Sequence, residues 1–330
     1  MRNILAIGWF GQMTGYGIHT DGFFNALSKY CQVSRVVLYP DKTGKIYGPT
    51  DNIDATICLA PPVQIPELMN YAKGLKIAYW AMEDTFLPHK EVACVGFADK
   101  RWVTSHWGKK MLEQQNIISD VVPEGIDPEL FENISPIILD NRFKFLCVAQ
   151  SVSKSRKNID LLLKAFSEEF KDNEACLYWP SYYKPDSLPP NVYWIKPNPD
   201  NKQFVRLYAS CDAFVLPTRS EGWGLPILEA LAAGIPVITT KYSGQSEFVT
   251  EENSHCIKYQ IKSYIKTDSW CAGAEADLHD LKRLMRHVYE NSLETKKTAK
   301  ANSQKIKEMW SWDQAAKKAV TLIQSYFAKI

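Results

Sequence analysis

The sequence predicts an α/β protein built as two domains, each on its own parallel sheet. Three observations carry this. At 330 residues the chain exceeds one typical domain core. Short β-branched or apolar runs alternate with helical segments on both sides of a central linker. One stretch, Asp212 to Val249, contains a whole strand–turn–helix–strand unit.

That stretch is the most informative. Ala213 to Leu216 is an apolar run suited to a buried strand, and Ile235 to Thr239 is a second. Between them Pro226 opens a run of good helix formers that Gly234 closes. The turn before the helix carries Gly222 and Gly224, where the backbone can approach a ligand closely. A helix N-terminus leaves amides unpaired and carries partial positive charge, so this turn suits an anion such as phosphate. Glu221 opens the turn and Glu229 lies further down the helix. One carboxylate can then sit beside the anion while the other meets a polar ligand group. Read without context, Glu229 also fits a helix residue complementing the dipole, and Glu221 a solvated loop residue.

The other elements follow in order. Asn3 to Gly8 is a strand; Gly11, Gly15 and Gly17 follow, then a helix from Ile18 to Tyr30. This is a second potential phosphate cradle, though not Gly-x-Gly-x-x-Gly. His19 stands just inside that helix. Strands are predicted at Val33–Tyr39, Ala55–Ala60, Leu75–Trp80 and Lys100–Ser105, with a helix starting at His106. Glu83 and Asp84 leave the carboxyl end of a strand, where open α/β sheets place ligands. The linker falls around Glu132 to Arg142, giving domains 1–135 and 136–308, and a final segment 309–330. Phe143 to Ala149 starts the second strand series; Lys154, Arg156 and Lys157 follow it, before a helix from Ile159 to Phe170. Further strands are expected at Ala175–Trp179 and Val192–Ile195, helices at Phe204–Ser210 and Leu278–Tyr289, and a closing segment from Trp270 to Asp280.

Composition narrows the function. The formal charge of +2 argues against a broad nucleic-acid footprint. No apolar run reaches membrane-spanning length, and the N-terminus is strand-like rather than a signal peptide. The eight cysteines form no Cys-x-x-Cys pair, which fits a reducing cytoplasm without zinc or disulfides. No segment is amphipathic enough to claim a membrane contact, so peripheral contact at the inner membrane face stays open, as does the oligomeric state.

The run Ser220-Glu-Gly-Trp-Gly-Leu-Pro-Ile-Leu-Glu-Ala-Leu-Ala-Ala-Gly-Ile-Pro-Val-Ile resembles the signature of the retaining GT-B glycosyltransferases of the family-4, or group 1, type. Glu221 and Glu229 match its two glutamates, separated by seven residues. The resemblance implies a GT-B fold: two Rossmann-like domains facing across a cleft, the first for the acceptor and the second for the donor. It also implies that the last helix, opened by Trp310-Ser-Trp312, crosses back to the first domain. The implied reaction moves a sugar, a hexose such as mannose or glucose, from a nucleotide-diphosphate sugar to a hydroxyl of a glycan or glycolipid, with retention. The implied catalytic set is Glu221, Lys157 and Arg156, with Lys154 as an alternative to Arg156. The implied donor set is Gly15, Tyr16, Gly17, Gly222, Trp223, Gly224, Leu225 and Glu229. The family often has a histidine lining the cleft near the reacting sugar, where this chain has Glu83-Asp84; Glu83, Asp84 and His19 are taken as the acceptor side. The implied chemistry uses no metal and no cofactor besides the nucleotide sugar. Two other readings stay open: another enzyme on this scaffold, a phosphorylase or epimerase, and a non-catalytic nucleotide-sugar binder.

Overall fold

The structure is a computed structural model. It describes residues 2–38, 44–138, 140–150, 154–197, 201–266 and 269–328. The chain divides into two compact units, Met1–Asp127 with Met309–Ile330, and Pro128–Glu308.

The first unit holds strands β1 (Asn3–Gly8), β2 (Gln32–Leu38), β3 (Gly44–Tyr47), β4 (Ala55–Leu59), β5 (Leu75–Trp80), β6 (Lys100–Val103) and β7 (Asp120–Val121). Their order in the sheet is β3-β2-β1-β4-β5-β6-β7. All neighbours are parallel except β2 and β3. A parallel sheet covered on both faces needs strands that are apolar throughout, and β4, Ala-Thr-Ile-Cys-Leu, is buried at every residue. The order reverses at β1, so the loops leaving β1 and β4 diverge and open a crevice at the strands' carboxyl ends.

The helix Gly15–Leu27 follows β1, capped by the Thr14 hydroxyl accepting from the Gly17 N–H. It packs on the last helix, Trp312–Phe327, at a point where a Cβ on Gly22 would lie 2.3 Å from the Trp312 ring. The return of that helix is fastened by backbone. The Ile126 N–H donates to Trp310 O at 2.9 Å, and the Trp312 N–H to Ile126 O at 3.0 Å. The predicted crossing back of the last helix is thus observed within the first unit.

The second unit repeats the plan with β8 (Phe143–Leu146), β9 (Ala175–Pro180), β10 (Val192–Ile195), β11 (Ala213–Leu216), β12 (Val237–Thr240) and β13 (His255–Ile257). The order is β10-β9-β8-β11-β12-β13, parallel throughout, with its reversal between β8 and β11. An antiparallel hairpin, β14 (Tyr259–Lys266) and β15 (Ser269–Ala276), adds a strand that was not expected and overlaps the expected closing segment, Trp270 to Asp280, only in β15. An 18-residue helix, Ser292–Met309, is a further addition to the expected elements. Among the described residues no helix is long and apolar enough to cross a membrane. All eight cysteines are free thiols, and all but Cys256 are buried.

Candidate active site

The loops leaving β8 and β11, the pair flanking the reversal in the second sheet, carry the residues singled out from the sequence. Arg156 and Lys157 end a one-turn helix, Lys154–Lys157, in the first connection and Glu221 lies in the second, all at most 8% exposed. They meet. Lys157 Nζ stands 2.6 Å from Glu221 Oε1 and 2.7 Å from Oε2. Arg156 Nη1 donates to Glu221 Oε2 at 2.9 Å and to Ser220 O at 2.6 Å. One carboxylate therefore accepts from two buried cations, giving the three side chains a formal charge of +1. Buried charges hold only when paired and hydrogen-bonded, which this arrangement satisfies for Glu221. The side chain of Lys154 and residues 151–153 lie outside the described residues.

Two further residues complete the support of Glu221: Thr218, which the sequence did not single out, and Ser243, in the glycine turn after β12. The Thr218 hydroxyl, fully buried, donates to Glu221 Oε1 at 2.8 Å. The Glu221 N–H donates to Ser243 Oγ at 2.8 Å. Ser243 begins the turn after β12, with φ of 62°. In the same turn the Gly244 N–H donates to Glu221 O at 2.9 Å, and a Cβ on Gly244 would lie 2.1 Å from Gly222 O. The two glycine turns thus touch backbone to backbone, which only glycine permits at that distance.

The helix Leu225–Ala233 starts from this turn, with Gly224 at its N-cap in the left-handed region (φ 100°) and Pro in its first turn. Trp223 is buried, 5.2 Å ring to ring from Phe248. Leu225 is also buried, and Glu229 half-buried. Glu229 accepts from the Tyr208 hydroxyl at 2.6 Å. Burial first, then the charge of Glu229, pushes the Tyr208 phenol well above its usual range, so Tyr208 stays a donor.

In the first unit, Gly15 and Gly17 begin the helix after β1; a Cβ on Gly17 would lie 1.9 Å from Gln12 O. Tyr16 packs its ring on the core, and burial followed by the charge of Glu83 raises its phenol above the usual range. Glu83 and Asp84 follow the carboxyl end of β5 (Leu75–Trp80) in the chain. His19 lies inside the core. It is 1% exposed, stacked on Trp312 at 5.5 Å and edge-on to Tyr79 at 4.6 Å, with Nδ1 3.3 Å from Glu124 Oε1. Among the described residues no group of three or more His, Cys, Asp and Glu side chains could hold a metal ion.

Two doubly wound units with a helix returning to the first define the GT-B fold. Residues 185–305 match the family described as "Glycosyl transferases group 1", and the resemblance to group 1 glycosyltransferases read from the signature is borne out. The chain is 27% identical over 167 residues to uncharacterized glycosyltransferase 335 of Sulfolobus islandicus rod-shaped virus 1, covering 44% of this chain and 49% of that one. It is 30% identical over 120 residues to the O-antigen biosynthesis glycosyltransferase WclY of Escherichia coli, covering 33% and 31%. Among solved structures, HepE of Anabaena in complex with UDP-glucose superposes with a TM-score of 0.73 over 100% of both chains at 12% identity, a likeness of fold. The chain spans about half the length of the first curated relatives it matches.

Proposed function

We propose that this protein transfers a hexose from a nucleoside-diphosphate sugar to a hydroxyl of a glycan or glycolipid, with retention at the anomeric carbon. The observation that carries the reading is the convergence of Lys157 and Arg156 on Glu221, at 2.6 and 2.9 Å, beside the N-terminus of the Leu225–Ala233 helix. Leaving-group departure in this reaction builds negative charge on a diphosphate. Cations and helix amides fixed in a shielded site answer that demand.

In the free protein Glu221 occupies the cations. An arriving diphosphate takes a share of both, and the guanidinium of Arg156 offers bidentate contacts. Glu221 then faces the sugar hydroxyls and the positive face of an oxocarbenium-like transition state. It is not assigned as a nucleophile: attack on the same face as departure lets the leaving phosphate take the acceptor proton. Glu229, held by Tyr208, binds the ribose. Gly15, Tyr16 and Gly17 are assigned to the donor phosphates and Glu83 and Asp84 to the acceptor side, with no metal in the cycle; His19, expected on the acceptor side, is instead a core residue under Trp312. HepE, solved with UDP-glucose, supports a nucleotide-sugar donor, and the E. coli relative's role in O-antigen biosynthesis supports a glycan acceptor. The reading places the reaction in the cytoplasm, with peripheral contact at the inner membrane face where the acceptor is a glycolipid.

A thermal-shift screen against UDP-, ADP- and GDP-sugars tests the proposal, since a ligand that binds the folded state raises its apparent stability. One donor should raise the melting temperature and be hydrolysed or transferred. Lys157→Ala should weaken that donor's binding by about tenfold or more. Stabilisation without turnover would support a non-catalytic binder, and no response to any donor would remove the reading.

A further inference from the structure

We propose that Arg219 and Glu275 form a positioning couple that sets the spacing between the Arg156–Lys157 pair and Glu221; the proposal rests on the donor-site reading above. Arg219 lies two residues before Glu221, on the same loop. Its N–H donates to Arg156 O at 2.8 Å and its guanidinium donates to Ser155 O, so it ties its own loop to the one carrying the cations. Its Nε donates to Glu275 Oε2 at 2.6 Å, with the two side chains 17% and 24% exposed.

The hairpin supplies the anchor. The Ala274 N–H donates to Arg219 O at 2.8 Å, and a Cβ on Gly273 would lie 2.7 Å from the same oxygen, so β15 lies hard against this residue. The other Glu275 oxygen, Oε1, accepts from Asn158 Nδ2 at 3.4 Å. Asn158 directly follows Lys157, is 2% exposed, and holds the left-handed conformation (φ 56°) that begins the next helix. One carboxylate on β15 thus reaches the loop of Lys157 through Asn158 and the loop of Glu221 through Arg219.

Neither Arg219 nor Glu275 is assigned to the reacting atoms; both act through the residues they hold. The charge on the diphosphate is greater in the transition state than in the bound donor. A small drift of the cations therefore weakens the transition state more than the ground state.

The test compares full-length wild type with Glu275→Ala, Glu275→Gln and Arg219→Lys. Hydrogen exchange is followed at residues 154–158 and 218–221. Kinetics use whichever of UDP-glucose, ADP-glucose and GDP-mannose stabilises the wild type most. Glu275→Ala should speed exchange in both segments and lower kcat about tenfold with donor KM changed less than about threefold. Glu275→Gln, whose amide oxygen still accepts from Arg219, should recover most of kcat. Arg219→Lys keeps the charge but lacks the forked donors, so it should resemble Glu275→Ala. Unchanged exchange with kcat within about twofold of wild type overturns the couple. So does a kcat loss that only tracks a smaller fraction of nucleotide-binding protein, the mark of poorer folding. A wild type inert toward all three donors removes the donor-site reading, and the positioning role with it, whereas an active wild type with unaffected variants removes the positioning role alone.

Discussion

Glu221 is the residue on which the site balances. Its carboxylate stands between side chains that are 9% and 10% exposed, so it is what lets two cations be buried together. Glu221→Gln keeps the shape and removes the charge. It should abolish transfer and destabilise the fold by about 3 kcal/mol, because uncompensated buried charge is what remains. Pyrophosphate should repair part of that loss by binding the same cations; at a concentration about 100 times Kd, the gain is about 2.7 kcal/mol. Melting curves with and without pyrophosphate check this. Equal shifts in variant and wild type would mean the cations are not released by the substitution.

A second residue sets a pH dependence. His255 is pulled down from 6.5 to about 4, by burial first and then by the charges of His287 and Arg283. Its ring lies 5.7 Å from that of His287. The fold holds His255 neutral, while the unfolded chain takes up its proton below about 6.5. Its contribution to stability is therefore intact above about 6.5 and is lost as the pH falls toward about 4. His255→Gln should flatten the fall of melting temperature in that window and leave it little changed above pH 7. A variant whose curve runs parallel to wild type throughout would remove His255 as the cause.

At the scale of elements, the turn before the Leu225–Ala233 helix depends on two glycines for different reasons. Gly224 needs its φ of 100°, while a Cβ there would meet only side-chain atoms at 3.3 to 3.5 Å. Gly224→Ala should cost about 1–2 kcal/mol of backbone strain. Gly244 has no positive φ, but its Cβ would strike the Gly222 carbonyl at 2.1 Å, and a backbone oxygen cannot rotate away. Gly244→Ala should therefore cost more and drive the two turns apart; denaturant titrations of both variants decide the order. The turn and its flanking strands were legible from sequence, because β11 and β12 are short apolar or β-branched runs buried at every residue. The β14–β15 hairpin was not, since among the described side chains of β14 only Tyr264 is buried and both isoleucines are exposed, so no apolar alternation marks the strand. Nor was the Ser292–Met309 helix, which buries only Thr295, Ala299 and Ile306 and so shows no apolar stripe. In the site, Glu221 and the adjacent basic pair stood out by motif. Thr218, Arg219 and Glu275 did not, because short polar contacts between loops distant in sequence leave no periodic trace.

At the scale of the whole molecule, the two sheets share one strand order but the two units are wired differently. The second unit is continuous, Pro128–Glu308, whereas the first needs both ends of the chain. Its dependence on the returning helix can be itemised physically. Trp312 covers His19 and Gly22; the Tyr30 hydroxyl donates to Asp313 at 2.8 Å; the Trp102 indole donates to the Tyr326 hydroxyl at 2.8 Å; Arg2 lies 3.9 Å over the Phe327 ring. Removing that helix would uncover the His19–Glu124 pair and the aromatic cluster around Tyr79, leaving polar groups and apolar surface without cover. Residues 128–308 expressed alone should therefore unfold in one cooperative step, while residues 1–127 alone should show no cooperative transition. The parallel bridge between Ile126 and Ser311 brings the two cut ends of the first unit close together. A short Gly/Ser linker joining Asp127 to Met309 should then restore a cooperative transition to the first unit. Circular dichroism melts of the three fragments test the point, and a cooperative 1–127 fragment would show that the returning helix is dispensable to the fold it covers.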